Sequence, residues 1–344
     1  MKILLGAVQA PFTRGGAEAL VDGLERRLAA RGHRTDVLRI PLRMLPRPEI
    51  VKMCLLWRLL DVEESYGESV DLFVPTKFPS YLVRHSRKVV WLFHQMREVY
   101  ELYGTRLSAW EGTGMDDVVR DAIHRLDRVG LGEARRIFTI SQTVADRLRR
   151  TTGFDGQCLY HPPPLAGRTR RGEAEDFVFT VSRLDRTKRI ELLVEAMAYV
   201  RPPLRAIIAG DGPERGALER RAGELGLGER VVFAGRIDDD AIVDLYARSL
   251  AVYFAPYDED YGYVTLEAFL SGKPVLTAPD SGGVLEFVGD EVSGKVVPPE
   301  PREFAAAIEA LAADRRRARA LGEEGYARVA SISWDGVLDA LTSD

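Results

Sequence analysis

The sequence predicts an α/β protein built from two doubly wound domains. Short apolar runs alternate with amphipathic helical segments along most of the chain, the pattern of parallel sheets made from strand–helix–strand units. A chain of 344 residues exceeds the length at which a single core usually stops growing, and the proline-rich stretch His161–Pro164 interrupts the alternation near its middle. Because such sheets bind ligands at the carboxyl ends of their strands, we expect two domains facing each other across a ligand-binding cleft.

The composition is typical of a globular protein, with 46% hydrophobic and 29% charged residues. Residues 1–165 carry 25 Lys/Arg against 20 Asp/Glu, whereas residues 166–344 carry 23 against 32. This basic excess in the first half is too small and too dispersed to indicate a nucleic-acid partner. Cys54 and Cys158 show neither disulfide nor metal-ligand spacing, and no signal segment or membrane span is predicted. We therefore expect a cytoplasmic protein, with peripheral contact at the inner membrane surface as the less favoured alternative.

The first domain is predicted over residues 1–162. Its strands are the apolar runs Lys2–Val8, Arg34–Ile40, Asp71–Pro75, Lys88–Phe93, Arg136–Ile140 and Gln157–Tyr160. Helices fall between these strands, most clearly at Ala17–Ala30 and Val118–Ala134. The succession predicts a first parallel sheet covered by helices.

The second domain is predicted over residues 176–330, after a proline-rich and then polar connection at 163–175. Its strands are Phe177–Val181, Arg205–Ala209, Arg230–Phe233, Ala251–Ala255, Pro274–Thr277 and Lys295–Val297. The last segment, about 331–344, has a helical pattern and is expected to pack back on the first domain.

One helical segment of the first domain, Ile50–Leu60, has two interpretations. With Arg43 and Arg47 beside it, the segment could be an amphipathic helix that touches a membrane. Apolar residues fill most of its circumference, however, so packing into the core is the favoured prediction.

Two features mark a candidate site in the first domain. Gly15 and Gly16 open the helix after the first strand, where missing side chains let an oxygen-rich ligand reach backbone N–H groups; an ordinary turn is the alternative. Neither the G-x-G-x-x-G nor the P-loop spacing is present. His94 directly follows the predicted strand Lys88–Phe93 and would lie at the edge of the cleft. One interpretation is that it binds sugar hydroxyls and assists proton movement, and the other is that it is a buried, hydrogen-bonded histidine. No histidine spacing suggests a metal site.

In the second domain, Arg183 and Lys188 follow the first strand across a turn that leads into a helix. Two cations there can neutralise a leaving diphosphate, the work that a metal would otherwise do; a solvated helix face is the alternative. Gly210 begins a Gly-Asp-Gly-Pro turn that either shapes the chain or makes room for a nucleotide. The backbone around Arg236 and Ile237, after the third strand, could meet the edge of a base.

Two glutamates flank the start of a helix that is predicted to begin near Tyr263. Glu259 lies on the acidic loop after a strand, and Glu267 lies about one turn into the helix. Backbone N–H groups at a helix start attract anions and hydroxyl oxygens, so two fixed carboxylates beside them could grip a polyhydroxylated ligand that carries phosphate. The alternative is that these acidic residues only complement the helix dipole.

The order of these motifs along the chain is more specific than any one of them. In chain order they are Gly15-Gly16, Arg183 with Lys188, the Gly-Asp-Gly-Pro turn at Gly210, Phe-x-Gly-Arg-Ile around Arg236, and Glu259-x7-Glu267 followed by Gly-Lys-Pro-Val. This series closely resembles the retaining nucleotide-sugar glycosyltransferases of family 4, also called group 1 glycosyltransferases. The resemblance covers almost the whole second domain, but the first domain only at its glycine pair and His94. It implies the GT-B fold, in which two Rossmann-like domains face each other across a cleft.

The resemblance also implies a role for each residue. Those that bind the donor nucleotide and diphosphate are Gly15, Gly16, Arg183, Lys188, Gly210, Arg236, Ile237 and, on the ribose hydroxyls, Glu267. Those that hold the donor sugar are His94, Glu259, Gly262, Tyr263 and Val264. The residues implied in catalysis are His94, Arg183, Lys188 and Glu259. Tyr261 and Tyr263, on either side of Gly262, depart from the commoner Glu-x-Phe-Gly form and make the donor sugar less certain.

The implied reaction moves a hexosyl group from a nucleotide-diphosphate sugar, a UDP-sugar in preference to a GDP-sugar, to an acceptor hydroxyl. It needs no metal or other cofactor, because Arg183 and Lys188 would neutralise the leaving diphosphate. It also needs no dedicated nucleophile: the acceptor attacks the face from which the diphosphate leaves, the departing phosphate takes the acceptor proton, and the anomeric configuration is retained. A carbohydrate, lipid-linked or small-molecule acceptor is expected, with the loop Arg97–Trp110 as a candidate contact. The alternatives are a GT-B sugar-nucleotide epimerase or phosphorylase and, in another class, a non-catalytic sugar-nucleotide-binding protein. A dehydrogenase is disfavoured, since neither domain carries a dinucleotide fingerprint.

Overall fold

The computed structural model describes residues 1–9, 15–42 and 45–343. The chain divides into two compact units: unit 1 comprises Met1–Pro164 with Ser333–Asp344, and unit 2 comprises Leu165–Ile332. Each unit contains parallel sheets with helices between successive strands. This arrangement confirms the predicted α/β class with two Rossmann-like domains.

Unit 1 holds two parallel sheets. Its strands are β1 (Lys2–Gln9), β2 (Arg34–Pro41), β3 (Glu64–Ser65), β4 (Glu68–Ser69), β5 (Leu72–Pro75), β6 (Val89–Leu92), β7 (Arg136–Thr139) and β8 (Gln157–Cys158). The orders are β2-β1-β5 and β6-β7-β8, and a parallel bridge between Phe73 and Lys88 connects the two. The strands β3 and β4 form a short antiparallel hairpin that the sequence does not predict, because two-residue strands of Glu and Ser carry no apolar pattern.

Four helices accompany these strands: α1 (Gly16–Ala30), α2 (Pro48–Leu59), α3 (Gly114–Gly132) and α4 (Gln142–Thr152). The hydroxyl of Thr113 accepts a hydrogen bond from the Asp116 N–H and starts α3 one turn before the predicted Val118. Ser141 caps α4 in the same way, by accepting from the Val144 N–H. The caps therefore decide the helix boundaries more closely than apolar spacing does.

Unit 2 contains one sheet of six parallel strands. They are β9 (Phe177–Val181), β10 (Arg205–Ala209), β11 (Val231–Gly235), β12 (Ala251–Tyr253), β13 (Val275–Thr277) and β14 (Gly294–Val296). Its helices are α5 (Ile190–Ala196), α6 (Arg215–Glu224), α7 (Asp239–Arg248), α8 (Tyr263–Leu270), α9 (Pro301–Ala313) and α10 (Arg315–Val329). The strand order β11-β10-β9-β12-β13-β14 reverses between β9 and β12. In doubly wound sheets, ligands bind outside the carboxyl ends of the strands at such a reversal.

All twelve strands predicted from the sequence coincide with strands of the structure. Burial explains this agreement, since strands covered on both faces form continuous apolar runs. Every residue of β5, β6, β12 and β13, for example, is buried.

The final helix, α11 (Trp334–Thr342), belongs to unit 1. Its residues Val337, Leu338 and Leu341 are buried. The Trp334 ring packs edge-to-face against Trp91 with 6.2 Å between ring centroids, and Asp335 accepts a hydrogen bond of 2.6 Å from Arg31. The helix is thus part of the core of unit 1.

Residues of the predicted connection 163–175 pack against unit 2, which begins at Leu165. Leu165 is only 5% exposed. Arg168 and Arg170 form ion pairs with three acidic residues of α7, namely Asp239, Asp240 and Asp244. The domain boundary therefore lies earlier than its composition predicts, because partners about seventy residues away in the sequence hold this stretch.

Core packing accounts for only one side of α2, which the sequence predicts to lie in the core. Ile50, Cys54 and Trp57 are fully buried, whereas Leu55, Leu56 and Leu59 are 50%, 42% and 83% exposed. Arg43, which the membrane alternative invokes, lies outside the described residues. Among the residues that the structure describes, no helix has the length and apolar character needed to cross a bilayer.

The place of α11 in unit 1 is testable by Leu338→Ala, since Leu338 is 2% exposed. The substitution should lower the free energy of unfolding of unit 1 by about 2–4 kcal/mol, because it leaves a cavity. All four tryptophans, Trp57, Trp91, Trp110 and Trp334, lie in unit 1, so tryptophan fluorescence during urea unfolding reports on that unit. The control Leu59→Ala, on the exposed side of α2, should change the free energy of unfolding by under about 0.5 kcal/mol. Equal effects of the two substitutions would contradict this account of α11.

Candidate functional site

Two of the predicted site residues meet at the reversal of the strand order in unit 2. Lys188 ends a short 3-10 turn, Arg186–Lys188, after β9, and Glu259 lies on the loop after β12. The Lys188 Nζ donates to Glu259 Oε2 at 2.5 Å, and the side chains are only 19% and 17% exposed. Because β9 and β12 are paired in parallel, their carboxyl ends lie side by side and bring the two loops together. The result is a partly buried ion pair at the edge where doubly wound sheets bind ligands.

The Glu259 carboxylate lies outside the first turn of α8. The helix begins at Tyr263, as the sequence predicts, and its N-cap is Gly262 with no acidic residue in the first turn. Glu259 precedes the helix, and its carboxylate accepts a hydrogen bond from Lys188.

Arg189, which the sequence reasoning did not single out, fastens the two loops together. It is 6% exposed and adopts the left-handed conformation, with φ +49°. Its guanidinium donates to the backbone oxygens of Ala255 and Pro256 at 2.8 and 2.9 Å. It also forms a bidentate pair with Asp280 at 2.7 and 2.8 Å. Arg189 thus fixes the backbone on both sides of the ion pair, and no local sequence signal marks it because its partners lie in distant loops.

The loop after β13 supports the loop of Glu259 from the other side. The Glu259 N–H donates to the Ser281 oxygen at 3.2 Å, and the Gly283 N–H donates to the Glu259 oxygen at 2.8 Å. A Cβ atom on Gly283 would lie 2.5 Å from the Asp260 oxygen, so the two backbones approach as closely as glycine permits. The Ser-Gly-Gly sequence at 281–283 is the sequence feature from which this close contact between the two loops could have been predicted.

Glu267 is buried on α8, with 6% of its surface exposed. The Tyr246 hydroxyl donates to Glu267 Oε2 at 3.1 Å. Burial raises the pKa of Glu267 to about 7, although hydrogen bonds from Tyr246 and from the Leu165 backbone act in the opposite direction. The carboxylate is therefore held from within unit 2 and retains lone pairs for at most a few further donors.

The residues around the start of α8 are closely packed. Gly262 has φ +85°, and a Cβ atom there would lie 3.0 Å from the Phe254 ring. Tyr263 packs edge-to-face against Tyr261 with 5.8 Å between centroids, and burial together with nearby Glu267 raises the Tyr263 pKa well above its ordinary value. Val264 is 9% exposed. The two tyrosines that depart from the commoner motif thus line the start of the helix.

The remaining predicted residues of unit 2 lie at the same edge of the sheet but are more exposed. The side chain of Arg183 is 66% exposed and that of Arg236 is 85% exposed, each 3.9 Å from an aspartate. Ile237 is half-buried beside Arg236. A Cβ atom on Gly210 would lie 1.8 Å from the Ser182 oxygen, so this glycine lets its turn pack directly against the backbone next to Arg183. Both interpretations of the Gly210 turn, as a shaped turn and as space for a nucleotide, are compatible with this packing.

In unit 1, the amide of Gly15 is already bound. Gly15 is the N-cap of α1, and its N–H donates to Glu18 Oε2 at 2.9 Å. A phosphate at Gly15 and Gly16 would have to displace this carboxylate. The turn that leads to them, residues 10–14, lies outside the described residues.

His94 follows β6 and is half-buried, with Nδ1 lying 2.5 Å from the Gln95 oxygen. A buried network holds the next part of the chain: Asp127 of α3 accepts from Tyr100 at 2.8 Å and from Gln95 at 3.3 Å. Asp127 is fully buried, and burial raises its pKa to about 6. The candidate acceptor loop that begins at Arg97 is therefore tied to α3 by a carboxylate that the sequence reasoning missed.

Unit 1 also has a small cavity, of about 190 Å³, near the carboxyl ends of its strands. Its lining includes Phe93, next to His94, and the polar side chains of Glu18, Arg39 and Lys77. The lining suits a hydroxylated ligand. Among the described residues of the chain, no group of three or more His, Cys, Asp or Glu side chains is placed to hold a metal ion.

Comparisons with known proteins agree with this geometry. Residues 166–328, nearly all of unit 2, match the family of glycosyl transferases group 1. The chain is 32% identical over 243 residues to a D-inositol 3-phosphate glycosyltransferase of Nocardia farcinica; the alignment covers 62% of this chain but about half, 53%, of that protein. Nearly all of unit 2 is therefore similar to group 1 glycosyl transferases.

Two solved structures show the fold of the whole chain. Sucrose-phosphate synthase of Thermosynechococcus elongatus superposes with a TM-score of 0.77 at 24% identity, covering 99% of this chain and 97% of that one. The Anabaena protein HepE, solved in complex with UDP-glucose, superposes with a TM-score of 0.71 at 20% identity, covering 99% and 98%. The fold is GT-B, as the sequence predicts.

The role of Arg189 is testable with Arg189→Met. The change should lower the free energy of unfolding of unit 2 by about 1–3 kcal/mol, because it leaves the buried carbonyl oxygens of Ala255 and Pro256 without their donor. Hydrogen exchange at residues 255–262 should speed up. The control Arg186→Met removes a side chain that is 71% exposed on the neighbouring turn and should change neither quantity appreciably. Unchanged exchange at 255–262 in Arg189→Met would refute the anchoring role.

The pKa of Glu267 predicts a pH dependence of stability. Because its folded pKa of about 7 lies above its ordinary value of 4.5, its stabilising contribution is full below pH 4.5 and is lost as pH rises through 7. Glu267→Gln removes this dependence. The free energy of unfolding of the variant, relative to that of the wild type, should therefore rise by about 3 kcal/mol between pH 4.5 and 7. Hydrogen exchange with mass spectrometry measures unit 2 by its own peptides.

Asp127→Asn is the matched control in unit 1. Its folded pKa is about 6, compared with an ordinary value of 3.8. The change in the free energy of unfolding should therefore occur at lower pH than for Glu267 and should be seen in peptides of unit 1. A difference between Glu267→Gln and wild type that stays constant across pH would contradict the raised pKa.

Proposed function

We propose that this chain is a glycosyltransferase that moves a sugar from a nucleotide-diphosphate donor to an acceptor hydroxyl. The observation that carries the proposal is the Lys188–Glu259 ion pair at the strand-order reversal, within a domain that matches the group 1 family. A cation that is mostly buried and already oriented is suited to stabilise a leaving diphosphate. The carboxylate beside it is suited to bind sugar hydroxyls.

In this proposal the ion pair opens when the donor binds. Lys188 exchanges the Glu259 carboxylate for a diphosphate oxygen, and Glu259 then accepts hydrogen bonds from hydroxyls of the transferred sugar. Arg183, whose side chain is 66% exposed, changes its side-chain conformation to bind the same diphosphate. The buried anchor at Arg189 keeps the loops in place during the exchange, so little reorganisation is needed.

Glu267 is proposed to bind the ribose of the donor. Its hydrogen bonds from Tyr246 and Leu165 orient the carboxylate, and its remaining lone pairs can accept from ribose hydroxyls. Arg236 and Ile237 are proposed to contact the base, and Gly262, Tyr263 and Val264 to present backbone groups to the sugar.

Unit 1 is proposed to bind the acceptor. Its polar cavity and the loop held by Asp127 supply a surface of defined shape. Gly15 and Gly16 are proposed as diphosphate contacts and His94 as a residue that stabilises charge on the donor sugar. These three roles remain predictions from the resemblance.

The proposed reaction retains the anomeric configuration and uses no metal. The bond between the anomeric carbon and the diphosphate oxygen breaks, the acceptor oxygen bonds to that carbon on the same face, and the acceptor proton passes to the leaving phosphate. The work left to the protein is electrostatic, which suits Lys188 and Arg183. A UDP-sugar is the favoured donor; the UDP-glucose bound by the structural neighbour HepE supports this choice.

Lys188→Met tests the proposal. It should lower sugar transfer at least about 100-fold, because a charge that stabilises the transition state is removed. The assay measures release of nucleoside diphosphate from a panel of UDP- and GDP-sugars with mixed acceptors, and NMR of the product reports its anomeric configuration. Near-normal transfer by the purified variant would refute the assignment.

The matched control is Lys295→Met. Lys295 is also a lysine paired with a glutamate in unit 2, and its side chain is 17% exposed against 19% for Lys188. Its loss should leave transfer within about twofold of wild type. Incubating the donor alone, and then with inorganic phosphate, separates a transferase from an epimerase and a phosphorylase. Donor binding without turnover for every acceptor would favour a binding protein.

A further inference from the structure

A cavity of about 520 Å³ lies in unit 2 at the edge of the sheet opposite the Lys188–Glu259 pair. Three of its lining residues come immediately or shortly before strands: Ala174 before β9, Leu250 before β12 and Pro274 before β13. Since all strands of this sheet are parallel, the cavity lies at their amino ends, whereas the ion pair lies at their carboxyl ends. The two places are therefore distinct.

The cavity is bordered by Lys273, a lysine that is 5% exposed. Its Nζ donates to the Gly172 oxygen at 2.9 Å, and among the described residues no carboxylate lies within ion-pair distance of it. Another buried lysine, Lys88, has a hydrogen-bond acceptor for each of its three N–H donors. It donates to two backbone oxygens and to the Glu133 carboxylate, at 2.9 to 3.3 Å. An ammonium has three donors, so Lys273 uses one where Lys88 uses all three.

A second cation at the cavity lacks an acidic partner within the described part of the chain. Arg171 stacks on the Tyr326 ring at 4.1 Å and forms no ion pair there. A guanidinium and an ammonium form a pair of donor groups that suits a phosphate group.

The carboxylates that border the cavity offset these cations only in part. Glu173 binds Arg319 at 2.8 Å, and its charge also acts to raise the pKa of Lys273. Arg315 binds Asp176 outside the lining. The charged side chains of the lining are Arg171, Lys273, Arg315 and Arg319 against Glu173 and Glu323, so positive charge is in excess. The amino end of α10 and the carboxyl end of α8 both border the cavity, and their dipoles oppose each other. Side-chain charge therefore decides the sign of the potential.

We propose that this cavity binds the phosphate group of a small phosphorylated molecule, with Lys273 and Arg171 as its donors. Its volume lies in the range of small-molecule sites. Burial lowers the pKa of Lys273 to about 8, which leaves the ammonium largely charged at neutral pH. The site is independent of the proposed transferase activity, since it shares no residue with the donor site.

The test is a titration of the full chain with inorganic phosphate by isothermal titration calorimetry at constant ionic strength. Lys273→Met and Arg171→Gln should each weaken phosphate binding at least about tenfold, as expected for loss of a charge-assisted hydrogen bond.

Two control variants distinguish phosphate binding in this cavity from phosphate binding elsewhere on the protein. Arg302→Gln removes another arginine of unit 2 that stacks on a tyrosine, Tyr199, at 4.3 Å but does not border the cavity. Lys295→Met removes a lysine of unit 2 that is paired with Glu291 and does not border the cavity. Both variants should bind inorganic phosphate as the wild type does.

Four outcomes would overturn the proposal: no phosphate binding by the wild type, unchanged binding in Lys273→Met and Arg171→Gln, loss of binding in either control variant, or equal binding of acetate. Wild-type binding that falls in the two cavity variants and persists in both controls would establish the site. Because sugar transfer is measured separately, failure of the transferase assignment leaves this result unaffected.

Discussion

The parallel pairing of β9 with β12 is the constraint on which the candidate site depends. The strand order of unit 2 reverses there, so the chain leaves neighbouring strands in directions that open a crevice between their following loops. One loop carries Lys188 and the other Glu259. Backbone pairing alone would leave these loops mobile, and Arg189 removes that freedom by binding the oxygens of Ala255 and Pro256 across the crevice. A site that must act on a charged ligand without reorganising needs this kind of rigid support.

Buried charge is distributed unequally over unit 2. At the carboxyl edge of the sheet, Lys188 and Arg189 each have a carboxylate partner within 2.8 Å. Burial raises the pKa of Glu267, and hydrogen bonds from Tyr246 and the Leu165 backbone offset this effect only in part. At the amino edge, Lys273 has one carbonyl oxygen as its hydrogen-bond partner among the described residues. Because burial of an unpaired charge is costly, such positions point to a ligand or to a change of protonation.

Unit 1 carries weaker marks of function than unit 2. The amide of Gly15 is bound by Glu18 of the same helix, and His94 contacts its own neighbour in the chain. The most constrained polar group of the unit is Asp127, which three hydrogen-bond donors surround. It fixes the loop after β6 to α3. This difference matches the family comparison, which covers residues 166–328 and none of unit 1.

The sequence by itself determined the fold class, every described strand except β3 and β4, and the start of α8, because strands covered on both faces form continuous apolar runs and helix starts carry local signals. It also selected Lys188 and Glu259, each of which belongs to a motif that is visible along the chain. Tertiary structure alone decided that these two side chains form an ion pair and that Arg189 and Asp280 support them. It also decided that no carboxylate of the described residues lies within ion-pair distance of Lys273. Each of these facts depends on residues that lie on different loops, and a distance across a sheet leaves no periodic or compositional trace in the sequence.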